Sequence, residues 1–344
     1  MYKKAGAEEV AALNDVPGTK QRTRGITAVS AVALWYKGLE FAAAEQLAYK
    51  CLADGGLPAF ARDQIRNLLS MVWTRSAADK AGLRFVPGDV LVSVKGGQVI
   101  HGGAPLELIV QKVEGIRSVL FRTIEMLLHR PFRSRGGPPA DLQAMFRPWL
   151  FQAPPGSYQF AVRMQEPEQL PLWDLDRPKI ELVTATFFEV LRATVSEPQS
   201  QLPVIVPDIQ YRNAFLNLSR TLAPTGKTFD RLEISAASSP AEPVVTLLAE
   251  TRQELNAALR NLRPANLLAQ PEEVLTIRGV LRALHLDQDW LELAPDDPEL
   301  GHIRIDDAGE ALDDVVGPMV NRKVLVSTLR RGSKYLYRDI ELDE

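Results

Sequence analysis

The chain has 344 residues, of which 46% are hydrophobic and 24% charged, and its net charge at pH 7 is −3. This length accommodates two or three domains with sizeable cores, and the near-neutral total excludes a general electrostatic attraction to nucleic acid. The single cysteine, Cys51, excludes an intramolecular disulfide and a metal cage built from cysteines.

The sequence shows no sign of export or membrane insertion. No run approaches eighteen apolar residues, and the N-terminus lacks a basic segment followed by an apolar core. A single cysteine favours a reducing compartment. We therefore expect a soluble, cytoplasmic protein without a membrane partner.

Residues 1–25 are predicted to form a flexible arm, because they are polar and lack periodicity. The opening segment, Met1–Gly6, resembles the scar that recombination cloning leaves.

Residues 26–152 are predicted to be mainly helical. Apolar periodicity predicts one helix over 26–52, and a second helix that starts at Pro58 after Gly55-Gly56. On Trp35-Tyr36-Lys37-Gly38-Leu39 and Ala42-Ala43-Ala44-Glu45, this pair resembles one tetratricopeptide hairpin. Because only one copy occurs at that period, the resemblance implies a single helical hairpin rather than a repeat array.

Residues 56–125 admit two interpretations. Ala81-Gly82-Leu83 and the run from Gly88 to Gly96 resemble the core signature of a PDZ domain, which implies binding of peptide C-termini by strand addition. That fold requires a strand near 118–123. The apolar residues from Leu106 to Leu127 instead recur every three or four positions, which predicts one amphipathic helix. We prefer the helix, and the PDZ interpretation stays open.

Residues 153–265 are predicted to form an α+β region, because strand and helix patterns alternate there. A helix over 140–151 precedes the region, and 264–271 is the predicted linker that follows it. The predicted strands lie at 157–164, 229–235 and 244–248, and the predicted helices at 180–194, 209–222 and 253–261.

Residues 271–344 are predicted to form a small β-barrel-like module. Apolar and polar residues alternate there in five short runs, as the two faces of a half-buried strand require. One helical turn is expected at 312–320, with Asp313 and Asp314 at its start. The predicted fold class is therefore α+β: a helical N-terminal region, a mixed α+β middle and this C-terminal module.

Charge is distributed unevenly between the module and the rest of the chain. Residues 271–344 hold nine Lys and Arg against seventeen Asp and Glu, a net charge of −8. The other residues hold 31 against 26, a net charge of +5. This asymmetry predicts either a charged partner or docking of the two parts on each other.

The sequence has no recognisable phosphate-binding loop. Pro224-Thr225-Gly226-Lys227-Thr228 is similar to the end of one, but Thr221 stands where the motif needs glycine. Without that glycine, backbone amides cannot wrap a phosphate. We interpret the segment as a loop that closes a helix.

No metal or catalytic pattern is present either. The histidines, His101, His129, His285 and His302, lack the i,i+4 spacing of a helical zinc site, although His285 and His302 could share one barrel face. No Gly-x-Ser-x-Gly pattern occurs, and Cys51 is interpreted as a core residue. The acidic pairs lack calcium-loop spacing and are interpreted as solubilising charges; they are Asp287/Asp289, Asp296/Asp297 and Asp306/Asp307. We predict no catalytic, cofactor-binding or metal-binding residue.

A basic run is the one candidate binding site. Arg130, Arg133, Arg135 and Arg147 are candidate phosphate or nucleic-acid contacts, with Phe132 between them as a stacking surface. Two alternatives stay open: a solvated helix end, and docking against the acidic module. Arg117 and Arg122 fall outside the apolar stripe and are expected to be solvated.

The leading hypothesis is a non-enzymatic cytoplasmic adaptor or regulator, of bacterial type, that binds another macromolecule, with a protein as the favoured partner. One alternative is a hydrolase whose site is assembled from residues distant in sequence. The other is a nucleic-acid-binding protein that uses the basic run, and it is not favoured.

Overall fold

The computed structural model describes residues 1–81, 89–100, 102–152, 158–165, 178–236, 244–262, 274–297, 299–308, 313–332 and 334–343. The chain forms two compact units, Met1–Arg84 and Phe85–Glu344. We call the first the helical unit. The second contains an α+β body, which ends with residue 262, and a barrel that begins at residue 274.

The described residues of the helical unit form helices α1 (Tyr2–Asp15), α2 (Gln21–Lys37), α3 (Phe41–Ala53) and α4 (Ala59–Lys80). Small side chains let these helices approach closely: Ala28, Ala44, Ala48 and Ala61 are fully buried. Larger apolar residues such as Ile65 complete the core.

The structure corrects two predictions for this unit. Residues 1–25 are not an arm without regular structure, because α1 and the start of α2 are helical and Leu13 of α1 is buried. The helix predicted over 26–52 is interrupted after Lys37, where Leu39 has a φ of 61° that an α-helix does not tolerate. The segments that resemble a tetratricopeptide hairpin lie at the end of α2 and the start of α3.

The α+β body contains a five-stranded antiparallel sheet in the order β2-β3-β1-β4-β5. Its strands are β1 (Val90–Lys95), β2 (Arg147–Gln152), β3 (Tyr158–Gln165), β4 (Arg231–Ala236) and β5 (Val245–Leu247). Its helices are α5 (Leu106–Leu127), α6 (Ala140–Met145), α7 (Ile180–Ser196), α8 (Leu202–Ile205), α9 (Ile209–Leu222) and α10 (Ala249–Leu262). The first four strands and their helical crossovers make a split β-α-β arrangement, and alternate residues of β1 pack into the core.

Most elements predicted for this body are confirmed. Helix α5 has the predicted bounds and covers 118–123, so the PDZ interpretation is wrong. The helix predicted over 140–151 ends at Met145, and Arg147–Gln152 forms an edge strand, where Pro148 is tolerated. Residues 26–152 were predicted to be mainly helical, but β1 and β2 lie in this range and belong to the sheet. The predicted linker, 264–271, lies outside the described residues.

The barrel consists of β6 (Val274–His285), β7 (Trp290–Pro295), β8 (Ile303–Asp306), β9 (Lys323–Arg331) and β10 (Lys334–Leu342). The strands close in the order β10-β8-β7-β6-β9, with β8 and β10 parallel and the other pairs antiparallel. Between β8 and β9 lie α11 (Asp313–Val316) and a 3₁₀ turn at Gly317–Met319. The predicted fold class, including the barrel-like module and its helical turn, is confirmed.

The barrel core follows the alternation of the sequence. Leu291 and Leu293 of β7, Ile305 of β8, and Val324 and Val326 of β9 are fully buried. No described helix of the chain combines the length and apolar character needed to span a bilayer.

One glycine of the barrel generates a stability prediction. A Cβ at Gly279 of β6 would lie 2.3 Å from the Ala294 carbonyl oxygen on β7. We expect Gly279→Ala to lower the free energy of unfolding by about 1–3 kcal/mol, because the strands must separate. Gly301→Ala is the control, since no atom lies within 4 Å of its Cβ position. Urea unfolding checks both variants, and equal losses would contradict the prediction.

Candidate functional site

Three of the predicted phosphate contacts lie in the loop between α5 and α6, and each is paired with carboxylates. Arg130 pairs with Asp141. Arg133 Nε donates to Glu125 Oε1 at 3.0 Å. Arg135 Nη2 donates to Asp289 Oδ1 at 2.7 Å, and Arg135 Nη1 donates to Asp287 Oδ1 at 3.3 Å. The guanidinium groups are therefore already engaged within the chain.

The fourth candidate lies apart from these pairs. Arg147 is exposed at the start of β2, and within the described part of the chain no ion pair involves it. The structure thus brings Arg133 and Arg135 together at the barrel and leaves Arg147 on the edge of the sheet.

A buried ion cluster lies beneath the loop, and we call it the Arg122 cluster: Arg122, Glu125, Arg133 and Asp314. The side chains of Arg122 and Glu125 are 0% and 2% exposed. Arg122 Nε donates to Asp314 Oδ2 at 2.8 Å, and Arg122 Nη1 donates to Glu125 Oε2 at 3.3 Å. Arg133 Nη2 lies 3.5 Å from Asp314 Oδ2. Two guanidinium groups and two carboxylates balance in charge.

The aromatic residue of the loop is enclosed by this cluster. The Arg122 guanidinium lies 4.8 Å from the centre of the Phe132 ring, and Tyr211 of α9 meets the same ring edge-on at 5.2 Å. Tyr211 Oη donates to the Arg130 carbonyl oxygen at 3.1 Å. Burial, aided by the negative charge of Glu125, raises the pKa of Tyr211 to about 12. Phe132 therefore holds the loop in place and does not offer a stacking surface.

A second ion cluster joins α9 and α10 to β10, and we call it the Arg220 cluster: Arg220, Arg252, Asn256, Asp339 and Glu341. Arg220, 2% exposed, donates from Nη1 to Asp339 Oδ2 at 2.6 Å and from Nη2 to Asp339 Oδ1 at 2.9 Å. Arg252 Nη2 donates to Glu341 Oε2 at 3.0 Å. Burial disfavours the charged guanidinium, but Asp339 and then Glu341 outweigh burial and raise the pKa of Arg220.

The ion pairs between the body and the barrel are one-sided. In every such pair among the described residues, the body supplies the cation and the barrel supplies the carboxylate. The cations are Arg122, Arg133, Arg135, Arg220, Lys227 and Arg252, and the carboxylates are Asp287, Asp289, Asp314, Asp339, Glu341 and Asp343. The predicted docking of the basic run against the acidic module is confirmed for Arg133 and Arg135.

Two predictions about these charges are wrong. Arg122 is not solvated, because Asp314 of the barrel and Glu125 of its own helix enclose it. Asp287 and Asp289 are not merely solubilising charges, since both accept from Arg135. The burial of Arg220 was not predicted, although its position among the apolar residues of α9 was a signal for it.

Among the residues that the structure describes, the remaining candidate groups do not assemble into a reactive site. Within the described ranges, no three His, Cys, Asp or Glu side chains form a group that could hold a metal ion. The ring of His285 stacks on Trp290, and His302 Nδ1 lies 2.5 Å from Glu292 Oε1. Burial raises the pKa of the Cys51 thiol, which disfavours the thiolate. His101 lies outside the described residues.

Lys227, the lysine of the loop that was compared with a phosphate-binding motif, lies 3.7 Å from Asp343 of the barrel. The segment closes α9 and leads into β4, as predicted.

Comparisons of the chain with protein-family models, with curated proteins and with solved structures found no match.

The buried cluster generates a prediction about stability. Arg122→Met leaves the carboxylates of Glu125 and Asp314 short of one guanidinium, so we expect a loss of about 3–5 kcal/mol in the free energy of unfolding. The matched control is Arg135→Met, which removes an exposed pair and is expected to cost less than about 1 kcal/mol. Urea unfolding checks both, and similar losses would contradict the prediction.

The exposed pair at Arg130 generates a prediction about titration. The hydrogen bond that Arg130 donates lowers the pKa of Asp141 below the ordinary value of 3.8. We expect Arg130→Gln to raise the pKa of Asp141, as measured by NMR titration of its carboxyl carbon. A carboxyl group whose pKa is lowered by folding stabilises the folded state at pH values above its unfolded-state pKa. This stabilisation is lost as the pH falls through the folded-state pKa.

Asp54 provides the control for that titration, because a hydrogen bond from Arg24 is the largest cause of its lowered pKa. Arg130→Gln should leave the pKa of Asp54 unchanged, and Arg24→Gln should raise the pKa of Asp54 alone. A pKa of Asp141 that does not respond to Arg130→Gln would contradict the assignment.

Proposed function

We propose that the protein is a non-enzymatic adaptor or regulator that binds another macromolecule. The supporting observation is that the two fully buried arginines of the described structure, Arg122 and Arg220, are paired with carboxylates. Arg122 and Arg220 each sit against carboxylates with which they form charge-assisted hydrogen bonds. Groups that are neutralised in this way hold parts of a protein together and are not directed toward a substrate.

The chemistry of the other side chains agrees with this proposal. A catalytic nucleophile needs an adjacent base and a group that orients the base. His285 is stacked on an indole, His302 is exposed beside Glu292, and Cys51 is a buried residue of the helical core. Within the described residues, none of these three side chains contacts both of the other groups that a nucleophile, its base and the orienting group would form.

The helical unit has a surface feature that supports macromolecular binding. Tyr49 of α3 and Trp73 of α4 lie with ring centres 6.3 Å apart and are 51% and 47% exposed. Trp73 Nε1 donates to Glu45 Oε1 at 2.8 Å, which fixes the indole. Rigid exposed aromatic residues are enriched among the residues that dominate protein interfaces.

The proposal is tested against the hydrolase alternative by measuring turnover. The full chain is incubated with chromogenic esters, phosphomonoesters and phosphodiesters, with and without Mg²⁺, Mn²⁺ and Zn²⁺. We expect no turnover above buffer, because no described group pairs a nucleophile with a base. Turnover that disappears when one polar side chain is replaced would overturn the proposal.

Nucleic-acid binding through Arg130, Arg133 and Arg135 stays the less favoured alternative. It requires phosphates to displace carboxylates that already bind these guanidinium groups.

A further inference from the structure

Three exposed side chains of α4 recur every seven residues on one face of the helix: Arg66, Trp73 and Lys80. Residues that are seven positions apart in an α-helix lie almost directly above one another, because two turns contain about 7.2 residues. The rise of about 1.5 Å per residue places each cation about 10 Å from the tryptophan along the helix axis. We call these three residues the α4 stripe.

The centre of the α4 stripe is an aromatic pair that is held in a fixed position. The rings of Trp73 and of Tyr49 on α3 lie with their centres 6.3 Å apart, and both residues are exposed. Trp73 Nε1 donates to Glu45 Oε1 at 2.8 Å, so the indole N–H is already satisfied. The pair therefore presents an apolar surface that a partner does not have to order before it binds.

The two ends of the α4 stripe are positively charged. Lys80 is exposed, and no carboxylate among the described residues pairs with it. Arg66 pairs with Asp63 of its own helix at 3.2 Å, and the two side chains are 63% and 69% exposed. Such exposed pairs contribute little, so a carboxylate of another molecule can replace Asp63 at low cost. Residues 1–84 hold 12 Lys and Arg against 8 Asp and Glu, a net charge of +4, which also favours an acidic partner.

We propose that the α4 stripe binds an acidic amphipathic helix of a partner protein. An apolar side chain of that helix packs against Trp73 and Tyr49, and carboxylates seven residues before and after it pair with Arg66 and Lys80. Two helices that pack side by side have the same rise per residue, so their charges stay in register along the whole stripe. The inference rests on the proposed function, since it assigns a partner class to a protein that binds macromolecules.

The charges of the α4 stripe argue against other partners. A second copy of α4, with Trp73 opposite Trp73 in either direction, would place a cation opposite a cation at both ends, which is unfavourable. Nucleic acid would bring its phosphates close to Glu45 and Asp63, the carboxylates that contact Trp73 and Arg66. A peptide helix can present an apolar side chain at its centre and carboxylates at its two ends, so it fits all three positions.

The test uses a designed, fluorescein-labelled, alanine-rich peptide of about 21 residues, long enough to form a helix. It carries leucine at its centre and glutamate seven residues on either side, and a control peptide carries lysine at the two glutamate positions. Binding to the full chain is measured by fluorescence anisotropy. We expect the acidic peptide to bind, and the lysine peptide to bind about tenfold more weakly or less, because like charges then face each other.

A charge reversal identifies the residues that contact the peptide. Arg66→Glu with Lys80→Glu should lose the acidic peptide and bind the lysine peptide, which inverts the preference. Lys80→Gln should weaken binding of the acidic peptide and reduce its dependence on salt, because exposed ion pairs are screened. The matched control is Arg75→Gln, which removes one exposed cation of α4 from the face opposite the stripe and should leave the affinity unchanged.

A second pair of variants tests the aromatic centre of the α4 stripe. Trp73→Ala should weaken binding of the acidic peptide about tenfold or more, because tryptophan anchors dominate interfaces. Met71→Ala is the matched control, since it truncates an exposed apolar residue of α4 that lies two residues earlier, on the other face of the helix. Circular dichroism confirms that each variant retains the fold before binding is compared.

Three results would overturn the inference: no binding of the acidic peptide in dilute buffer, equal weakening by Trp73→Ala and Met71→Ala, or competition by a single-stranded oligothymidylate that is as effective as competition by the unlabelled acidic peptide. These failures leave the adaptor proposal standing, because substrate turnover overturns that proposal instead. Substrate turnover and peptide binding are separate measurements, so the two outcomes are distinguishable.

Discussion

The architecture of the second unit depends on guanidinium–carboxylate pairs buried between the body and the barrel. Removing Arg122 or Arg220 from water is costly, and its carboxylate partners offset that cost only in a favourable geometry. Asp314 lies in α11 and Asp339 in β10, so the two contacts lie far apart in the chain of the barrel. We infer that they fix the orientation of the barrel more than they add net stability, since apolar residues of similar volume can stabilise a core as well.

This constraint explains where the uneven charge of the sequence is neutralised in the described structure. The excess cations of the body and the excess carboxylates of the barrel meet at one boundary, where Arg133 and Arg135 contact Asp314, Asp287 and Asp289. Charge that is neutralised there is not available to a partner. The charges that a partner can contact are therefore those that do not form ion pairs between the body and the barrel. The total charge of either part does not identify them.

The sequence predicted those features that depend on neighbouring residues. The spacing of apolar side chains gave the bounds of α5, and alternation gave the barrel strands, because burial of one face leaves a local periodic record. The environment of Arg122 was not predictable in this way. Its partner Asp314 is 192 residues away in the sequence, and no periodic pattern connects the two positions. For the same reason, no local pattern in the sequence indicated that β1 pairs with β3 and β4.

The ion pairs between the body and the barrel differ in burial. Where the barrel is buried against the body, each described cation of the Arg122 and Arg220 clusters faces a carboxylate, because a buried charge without a partner would be prohibitive. The pairs of Arg135 with Asp287 and Asp289 are exposed, so water screens them and they contribute little to the free energy of unfolding. The orientation of the barrel therefore depends on the buried pairs and not on the total number of pairs.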